Sequence, residues 1–183
     1  MTTVVAVERG GDVEFAADSQ VSWGSRKDPA GAGKLIRNGD VVFGFSGAVR
    51  IENLLQFVKF PPLARKVRGV DVDRWVVGEF VPAIQECFLD AKASLVSSEQ
   101  QTVESNFLVA VNGRAYNIGS DFSWTRSKSG RYAIGSGSRF AMGALMAGAS
   151  AVEAARIAVD RDWETIAYLP DLERVHEKSD KIL

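Results

Sequence analysis

A threonine near the start of the chain combines the two groups that a hydrolytic enzyme needs. The sequence begins with Met1 followed by Thr2, so loss of Met1 would leave Thr2 with a free α-amino group. Such a residue carries a hydroxyl nucleophile and an amine base side by side. Many chains begin in this way, and Thr2 could equally be the ordinary first residue of a strand. The spacing of Asp18, Lys34 and Gly47 behind it favours the catalytic interpretation.

The remaining side chains offer few other bases for a hydrolase. The single histidine, His176, stands in a charged run near the end of the chain, where a solvated surface position is expected. The single cysteine, Cys87, lies on the apolar face of a predicted helix and is expected in the core. A carboxylate pair, a lysine and the α-amino group stay open as bases. An α-amino group titrates near pH ~8 and a lysine near ~10, unless the lysine is desolvated or lies beside another cation.

Asp18 and Lys34 are residue types that could support a catalytic threonine. Beside the Thr2 hydroxyl, the Lys34 ammonium would supply positive potential and lower the pKa of that hydroxyl. The Asp18 carboxylate would orient Lys34 and balance its charge. Each residue also has an ordinary explanation, since Asp18 could cap a turn and Lys34 could face solvent.

Two glycine-rich segments are typical of nucleotide binding but fail the full patterns. In the segment 31–34, the lysine is followed by Leu35 instead of serine or threonine, and Asp28 stands where the first glycine is required. The segment 135–137 has no third glycine of a dinucleotide site. The chain also has too few ligands for a zinc site. We therefore predict no metal and no cofactor.

Strands and helices follow one another in a regular order. Glycine- and asparagine-rich turns predict three hairpins, formed by residues 3–7 with 13–17, 34–37 with 41–45, and 107–111 with 115–118. Apolar periodicity predicts four helices, over residues 50–58, 72–95, 139–147 and 151–160. A short last strand is expected near 165–169, a loop over 23–33, and a loose polar tail from about Glu173.

This order predicts an α+β fold with four layers. Two sheets packed face to face, each with a helix pair on its outer side, would bury the apolar faces of all four helices. The architecture is therefore an α-β-β-α sandwich of two antiparallel sheets. At 183 residues, with no linker or repeat, the chain is most simply one domain.

Composition narrows the class of protein and its partners. A net charge of −1 gives no basic field that would attract nucleic acid or anionic lipid. No apolar run approaches the ~20 residues of a membrane span, and the early charges do not fit a signal peptide. The lone cysteine excludes an internal disulfide and suits a reducing compartment. We expect a soluble, cytoplasmic protein with no nucleic-acid or membrane partner.

Taken in order, these residues resemble a known family. The chain resembles the proteasome β-subunit superfamily of N-terminal nucleophile hydrolases, and its bacterial HslV-like branch in particular. The matching segments span residues 2 to about 168. They are Thr2-Thr3 before an apolar strand, Asp18–Gly24, Lys34 at the start of a strand, Gly44–Gly47 at the end of one, and Ala133–Ser138 before an alanine-rich helix.

The resemblance implies a catalytic role for each matching residue. Thr2 matches the nucleophile, and Asp18 with Lys34 matches the charge pair beside it. The backbone N–H of Gly47 matches the oxyanion donor, a group worth several kcal/mol in acyl transfer. Ser136 matches the serine near the amine of the nucleophile.

A second acidic residue is implied further along the chain. Asp162 matches the family's second aspartate, with Thr165 as the next polar partner. A register two residues later would select Glu164 instead. The glycines that often follow this motif are replaced by Ile166-Ala167, and the family's second glycine after Gly47 is replaced by Ala48.

The resemblance also implies how a peptide would be held. The backbones of Ser22 and Gly47 match positions that bind an extended peptide as an added strand. A pocket for the residue before the cut would be lined by Val21, Ala32, Phe45 and Val49. This apolar lining indicates cleavage after apolar residues.

The main functional hypothesis is a threonine-type peptidase subunit of a self-compartmentalising ring. The resemblance implies an unfolded polypeptide or peptide substrate, a homo-oligomeric hexamer or heptamer that is possibly stacked, and an ATP-dependent unfoldase partner. One alternative is a non-catalytic shell or assembly subunit, which would need none of the catalytic residues and would keep Met1. Another alternative is an amidase of the same superfamily that acts on small amides.

Overall fold

The computed structural model describes residues 2–23, 26–29, 33–97, 100–161 and 172–178, with the backbone alone for 21–23, 26–29 and 172–174. The strands are β1 Thr3–Arg9, β2 Asp12–Asp18, β3 Gln20–Trp23, β4 Arg26–Pro29, β5 Leu35–Asn38, β6 Val41–Gly47, β7 Leu95–Ser97, β8 Gln100–Thr102, β9 Ser105–Val111, β10 Arg114–Ile118, β11 Trp124–Thr125, β12 Arg131–Gly135 and β13 Leu172–His176. The helices are α1 Val49–Phe57, α2 Val70–Trp75, a π-helical segment Val76–Phe80, α3 Val81–Asp90, α4 Ser138–Met146 and α5 Ala151–Arg161.

Two antiparallel sheets form the centre of the molecule. The first sheet has the strand order β12-β1-β2-β13 and the second has the order β11-β10-β9-β6-β5. β3 pairs with β4 and β7 pairs with β8 as separate two-stranded hairpins. The three hairpins predicted from the turns are all present, as β1–β2, β5–β6 and β9–β10.

Buried apolar side chains separate the molecule into four layers. One cluster fills the space between the two sheets and includes Val4, Phe15 and Leu108. A second cluster joins the first sheet to the alanine-rich helices α4 and α5. A third joins the second sheet to α1, α2, the π-helical segment and α3. The predicted α-β-β-α sandwich is therefore confirmed.

Residue size sets the distance between the layers at two places. A Cβ atom on Gly44 of β6 would collide with Cγ1 of Val4 in the facing sheet. On the other side of β1, Val5 packs against fully buried alanines of α5, including Ala154 and Ala158. Small residues therefore allow β1, which directly follows Thr2, to be covered closely on both faces.

The long helix predicted over 72–95 differs from the structure in two respects. It is interrupted by the π-helical segment and it ends at Asp90. Pro82, the second residue after that segment, lacks an N–H, and a proline ring clashes with the carbonyl of residue i−4 in a regular helix. The wider π turn accommodates the proline. Lys92, with φ 51°, then turns the chain towards β7.

The C-terminal segment also departs from the sequence prediction. The loose tail expected from Glu173 is wrong for residues 173–176, which belong to β13 and pair with β2. Val175 is buried in the cluster between the sheets. The loop expected over 23–33 contains β4 of the β3–β4 hairpin. The strand expected near 165–169 lies outside the described residues. In the described part of the chain, no helix has the length and apolarity needed to cross a membrane.

Candidate active site

One end of the sandwich collects the catalytic residues predicted by the sequence. The hairpin turns lie at the opposite end, because β1 begins where β2 ends and β5 begins where β6 ends. β12 runs antiparallel to β1, so its last residue lies beside the first residue of β1. The residues brought to this end are Thr2 before β1, Asp18 at the end of β2, Lys34 before β5, Gly47 at the end of β6 and Ser136 after β12.

A buried ion pair forms the base of this site. Asp18 is 0% exposed and Lys34 is 5% exposed, and the Lys34 Nζ to Asp18 Oδ1 distance is 2.5 Å. The carboxylate also accepts two backbone hydrogen bonds, from Thr3 N to Oδ2 at 2.5 Å and from Gln20 N to Oδ1 at 3.0 Å. Loss of one partner from a buried pair typically costs about 3–5 kcal/mol, because the other charge is left without compensation. Asp18 therefore ties the lysine to the backbone that follows Thr2.

Thr2 is held from the side of β12. It is 8% exposed, and its N–H donates to Ser136 Oγ at 3.4 Å, while the Ser136 hydroxyl donates to the Thr2 carbonyl at 3.4 Å. Gly135 pairs with Thr3 at the end of the β1–β12 ladder. Its φ of 92° and its position against Thr2 require glycine, since a Cβ atom there would collide with the Thr2 carbonyl. Gly135 and Ser136 together place the main chain of Thr2.

The end of β6 directs a backbone N–H towards the same site. Phe45 N donates to Lys34 O at 3.3 Å, so the N–H of Phe45 points to the β5 edge of the strand. Backbone N–H groups alternate between the two edges of a strand, so Gly47, two residues later, presents its N–H to that same edge. This edge lies beyond the start of β5, where Lys34 is held against Asp18.

Gly135 also connects Thr2 to β6. A Cβ atom on Gly135 would lie 3.3 Å from Ser46 Oγ, besides colliding with the Thr2 carbonyl. Ser46 directly precedes Gly47, so the main chain of Thr2 and the end of β6 both lie close to this glycine. The structure thus brings together Thr2, the Asp18–Lys34 pair and the strand end that carries Gly47, the predicted oxyanion donor.

The structure describes only part of the predicted substrate-binding residues. Val21 and Ser22 lie in β3, opposite Asp28 and Lys27 of β4, and their side chains are outside the described set. Phe45 is buried in the cluster between the second sheet and its helices, and Val49 is the half-buried first residue of α1. Their role in a pocket stays a prediction.

Several predicted site residues fall outside the described ranges. Asp162, Thr165 and the alternative Glu164 all lie in the segment 162–171, and Ala32 lies in the segment 30–32. The second acidic position and this part of the pocket lining therefore stay predictions. Among the described residues, no group of three His, Cys, Asp or Glu side chains is placed to hold a metal ion.

Sequence reasoning missed two buried polar residues, one on α1 and one opposite the end of β6. Glu52 on α1 is 3% exposed, and Gln56 Nε2 donates to its Oε1 at 3.3 Å. Burial raises the pKa of the Glu52 carboxyl, and the Gln56 hydrogen bond lowers it by a smaller amount. Ser105, the first residue of β9, lies opposite Gly47. A glutamate in the first turn of a helix and a serine at a strand start are too common to signal a site.

The comparisons with known proteins agree with this fold. No family model matches the chain. Thiobacillus denitrificans BPH has a similar structure, with a TM-score of 0.69 and 20% identity over 96% of this chain and 97% of that one. BPH in complex with epoxomicin gives a TM-score of 0.68 at the same identity and coverage.

A third solved structure extends the likeness to a eukaryotic protein. Eukaryotic HslV from Trypanosoma brucei gives a TM-score of 0.58 and 22% identity, over 96% of this chain and 98% of that one. This chain therefore shares its fold with HslV and BPH across nearly the full length of each. The resemblance identified from the sequence is confirmed at the level of the fold.

Proposed function

We propose that this protein is a threonine-type peptidase subunit of a proteasome-like ring, with Thr2 as its N-terminal nucleophile. The observation that carries the proposal is the buried Asp18–Lys34 pair, whose carboxylate also binds the backbone N–H of Thr3. Burying such a pair carries a desolvation penalty that can exceed the attraction between the charges, so stability alone explains it poorly. Here it lies directly against the residue that follows the nucleophile.

The reaction begins once Met1 has been removed. The Thr2 nitrogen, which lies 3.4 Å from Ser136 Oγ, then becomes a free amine. This amine accepts the proton of the Thr2 hydroxyl, directly or through a water molecule, as Thr2 Oγ attacks the peptide carbonyl carbon. Lys34 supplies positive potential that favours the developing alkoxide.

The tetrahedral intermediate then collapses to an ester. Its oxyanion accepts a hydrogen bond from the Gly47 N–H, a type of contact that stabilises the transition state by about 3–4 kcal/mol. The protonated Thr2 amine gives its proton to the leaving amine as the C–N bond breaks. Water next attacks the ester carbonyl carbon while the Thr2 amine takes a proton from it. The bond between the acyl carbon and Thr2 Oγ then breaks, and the amine returns that proton to Oγ, which releases the acid product and restores Thr2.

The likeness to HslV and BPH supports a ring as the working form. We infer a homo-oligomeric hexamer or heptamer, possibly stacked, that receives unfolded polypeptide from an ATP-dependent unfoldase in the cytoplasm. Large apolar side chains on several elements give a surface that neighbouring subunits would cover. They include Phe57 of α1, Leu95 of β7 and Met146 of α4.

Intact mass and covalent labelling test the proposal together. The purified protein should lack Met1, and a threonine-directed electrophile should label Thr2. Both Thr2→Ala and Lys34→Ala should lose labelling and peptide hydrolysis, because one removes the nucleophile and the other removes the potential that activates it. Thr102→Ala, a half-buried threonine on β8, serves as the matched control and should keep both.

Three outcomes would contradict the proposal. Retention of Met1 in the active protein would remove the amine base. Full assembly with no hydrolysis or labelling would indicate a shell subunit. Cleavage of small amides without cleavage of peptides would indicate an amidase.

A further inference from the structure

Ser105 lies opposite Gly47 at the last pair of the β6–β9 ladder. It is 2% exposed, so its hydroxyl is shielded from bulk water. A buried hydroxyl must find its partners within the protein, and those partners reveal what it holds in place.

The Ser105 hydroxyl is engaged both as acceptor and as donor. Its Oγ accepts a hydrogen bond from Ala48 N at 3.2 Å and donates to the Glu104 carbonyl at 2.7 Å. The two bonds together fix the position of Oγ. They also satisfy the Ala48 N–H, which stands at the start of α1 with no intrahelical acceptor.

Gly47 packs directly against this hydroxyl. A Cβ atom on Gly47 would collide with Ser105 Oγ and with the Glu104 carbonyl, and its φ of 145° favours glycine. Ser105 therefore holds the peptide group between Gly47 and Ala48 in two ways. It packs against Gly47, and its Oγ accepts the hydrogen bond of the Ala48 N–H.

These contacts bear on the orientation of the neighbouring N–H. Ala48 donates to Ser105, whereas Gly47 presents its N–H to the β5 edge, where the Asp18–Lys34 pair lies. Without the hydroxyl, Ala48 would lose its acceptor and the end of β6 would be free to twist. An oxyanion donor acts only when it is pre-oriented towards the developing charge.

We propose that Ser105 is a positioning residue that orients the oxyanion donor Gly47. This inference rests on the proposed peptidase function. Ser105 acts through the Gly47–Ala48 peptide group and does not contact the substrate. Loss of the Ser105 hydroxyl is therefore expected to slow only those steps that build negative charge on a carbonyl oxygen.

The test compares two reactions of Thr2 in the processed protein. Peptide hydrolysis passes through an oxyanion on the attacked carbonyl. In conjugate addition to a peptide vinyl sulfone, the Thr2 hydroxyl oxygen instead bonds to an alkene carbon, and no carbonyl oxygen takes up negative charge. Ser105→Ala should lower kcat for the best peptide substrate by about 10-fold or more, with KM within about twofold. Its rate of labelling by the vinyl sulfone should match that of the unaltered protein.

Ser150→Ala is the matched control. Ser150 also uses its hydroxyl as donor and acceptor, with Glu153, but at the start of α5. It should leave both rates unchanged. Unchanged hydrolysis in Ser105→Ala would overturn the inference, and so would an equal fall in hydrolysis and labelling, which indicates general damage. Absence of both reactions in the unaltered protein would instead contradict the proposed function.

Discussion

At the scale of single residues, the candidate site depends on polar groups buried in specific pairs. Asp18 satisfies its carboxylate with Lys34 Nζ and two backbone N–H groups. Glu52 is also buried, at 3% exposed, and its carboxyl accepts a hydrogen bond from Gln56. The Asp18 carboxylate is compensated by a cation, whereas desolvation by burial raises the pKa of the Glu52 carboxyl.

Glu52 leads to a prediction about pH. Its pKa is raised in the folded protein, so between its ordinary value and the raised value the folded state binds more protons than the unfolded state. The free energy of unfolding therefore falls as pH rises through that window and stays lower above it. Glu52→Gln should remove this fall and unfold at a higher temperature than the unaltered protein at pH 7.

Glu153 gives a control of opposite sign. Hydrogen bonds from the backbone and side chain of Ser150 lower the pKa of the Glu153 carboxyl, so it contributes stability above its ordinary pKa. Glu153→Gln should lose that contribution. Thermal unfolding followed from pH 4 to 8 checks both variants, and a Glu52→Gln curve parallel to that of the unaltered protein would contradict the assignment.

At the scale of elements, the turn between β12 and α4 holds Thr2. Gly135, the last residue of β12 before this turn, has φ 92° and lies against the Thr2 carbonyl, whereas Gly148 between α4 and α5 has φ 102° and nothing within 4 Å of a built Cβ. Both glycines have a positive φ, but a Cβ atom would collide with Thr2 at Gly135 and would meet nothing at Gly148. Substitution of each by alanine therefore separates backbone strain from the effect on Thr2.

Gly135→Ala should reduce peptide hydrolysis by at least about 100-fold, since a displacement of about 1 Å in a catalytic group costs that much. Gly148→Ala should keep activity and lose roughly 1 kcal/mol or more of stability, because alanine is strained at positive φ. Hydrolysis rates and denaturant unfolding measure the two effects. Equal activity in the two variants would show that the contact of Gly135 with Thr2 has no role in catalysis.

At the scale of the whole molecule, the fold shared with HslV and BPH leads to a prediction about assembly. Exposed apolar side chains such as Phe57 and Leu95 would be covered by neighbouring copies. Native mass spectrometry should therefore give a hexamer or heptamer, or a stacked pair of such rings. Thr2→Ala should assemble equally well, because Thr2 lies at the open end of the sandwich and not among these side chains. A monomer at micromolar concentration would contradict the ring.

The parts of the fold that local signals specify were predictable. Each of the three predicted hairpin turns connects the two strands expected. The positive φ of a tight turn is found at Gly10, Gly11, Gly39, Asn112 and Gly113. The alternation of strand pairs and helix pairs was sufficient to predict four layers. β13 was not predicted, because its partner β2 is far away in the sequence and its polar composition suggests a solvated tail.

The sequence by itself determined which residues can carry the chemistry. Thr2, Asp18 and Lys34 were singled out by residue type and spacing, which are properties of the chain itself. Ser136 and the oxyanion role of Gly47 were implied by the family resemblance of their segments. The position of Ser105 opposite Gly47 was decided by the tertiary structure alone, and so was the burial of Glu52. Both depend on pairing and packing between segments distant in sequence, and a local pattern that predicts a hairpin does not encode which distant strands will lie side by side.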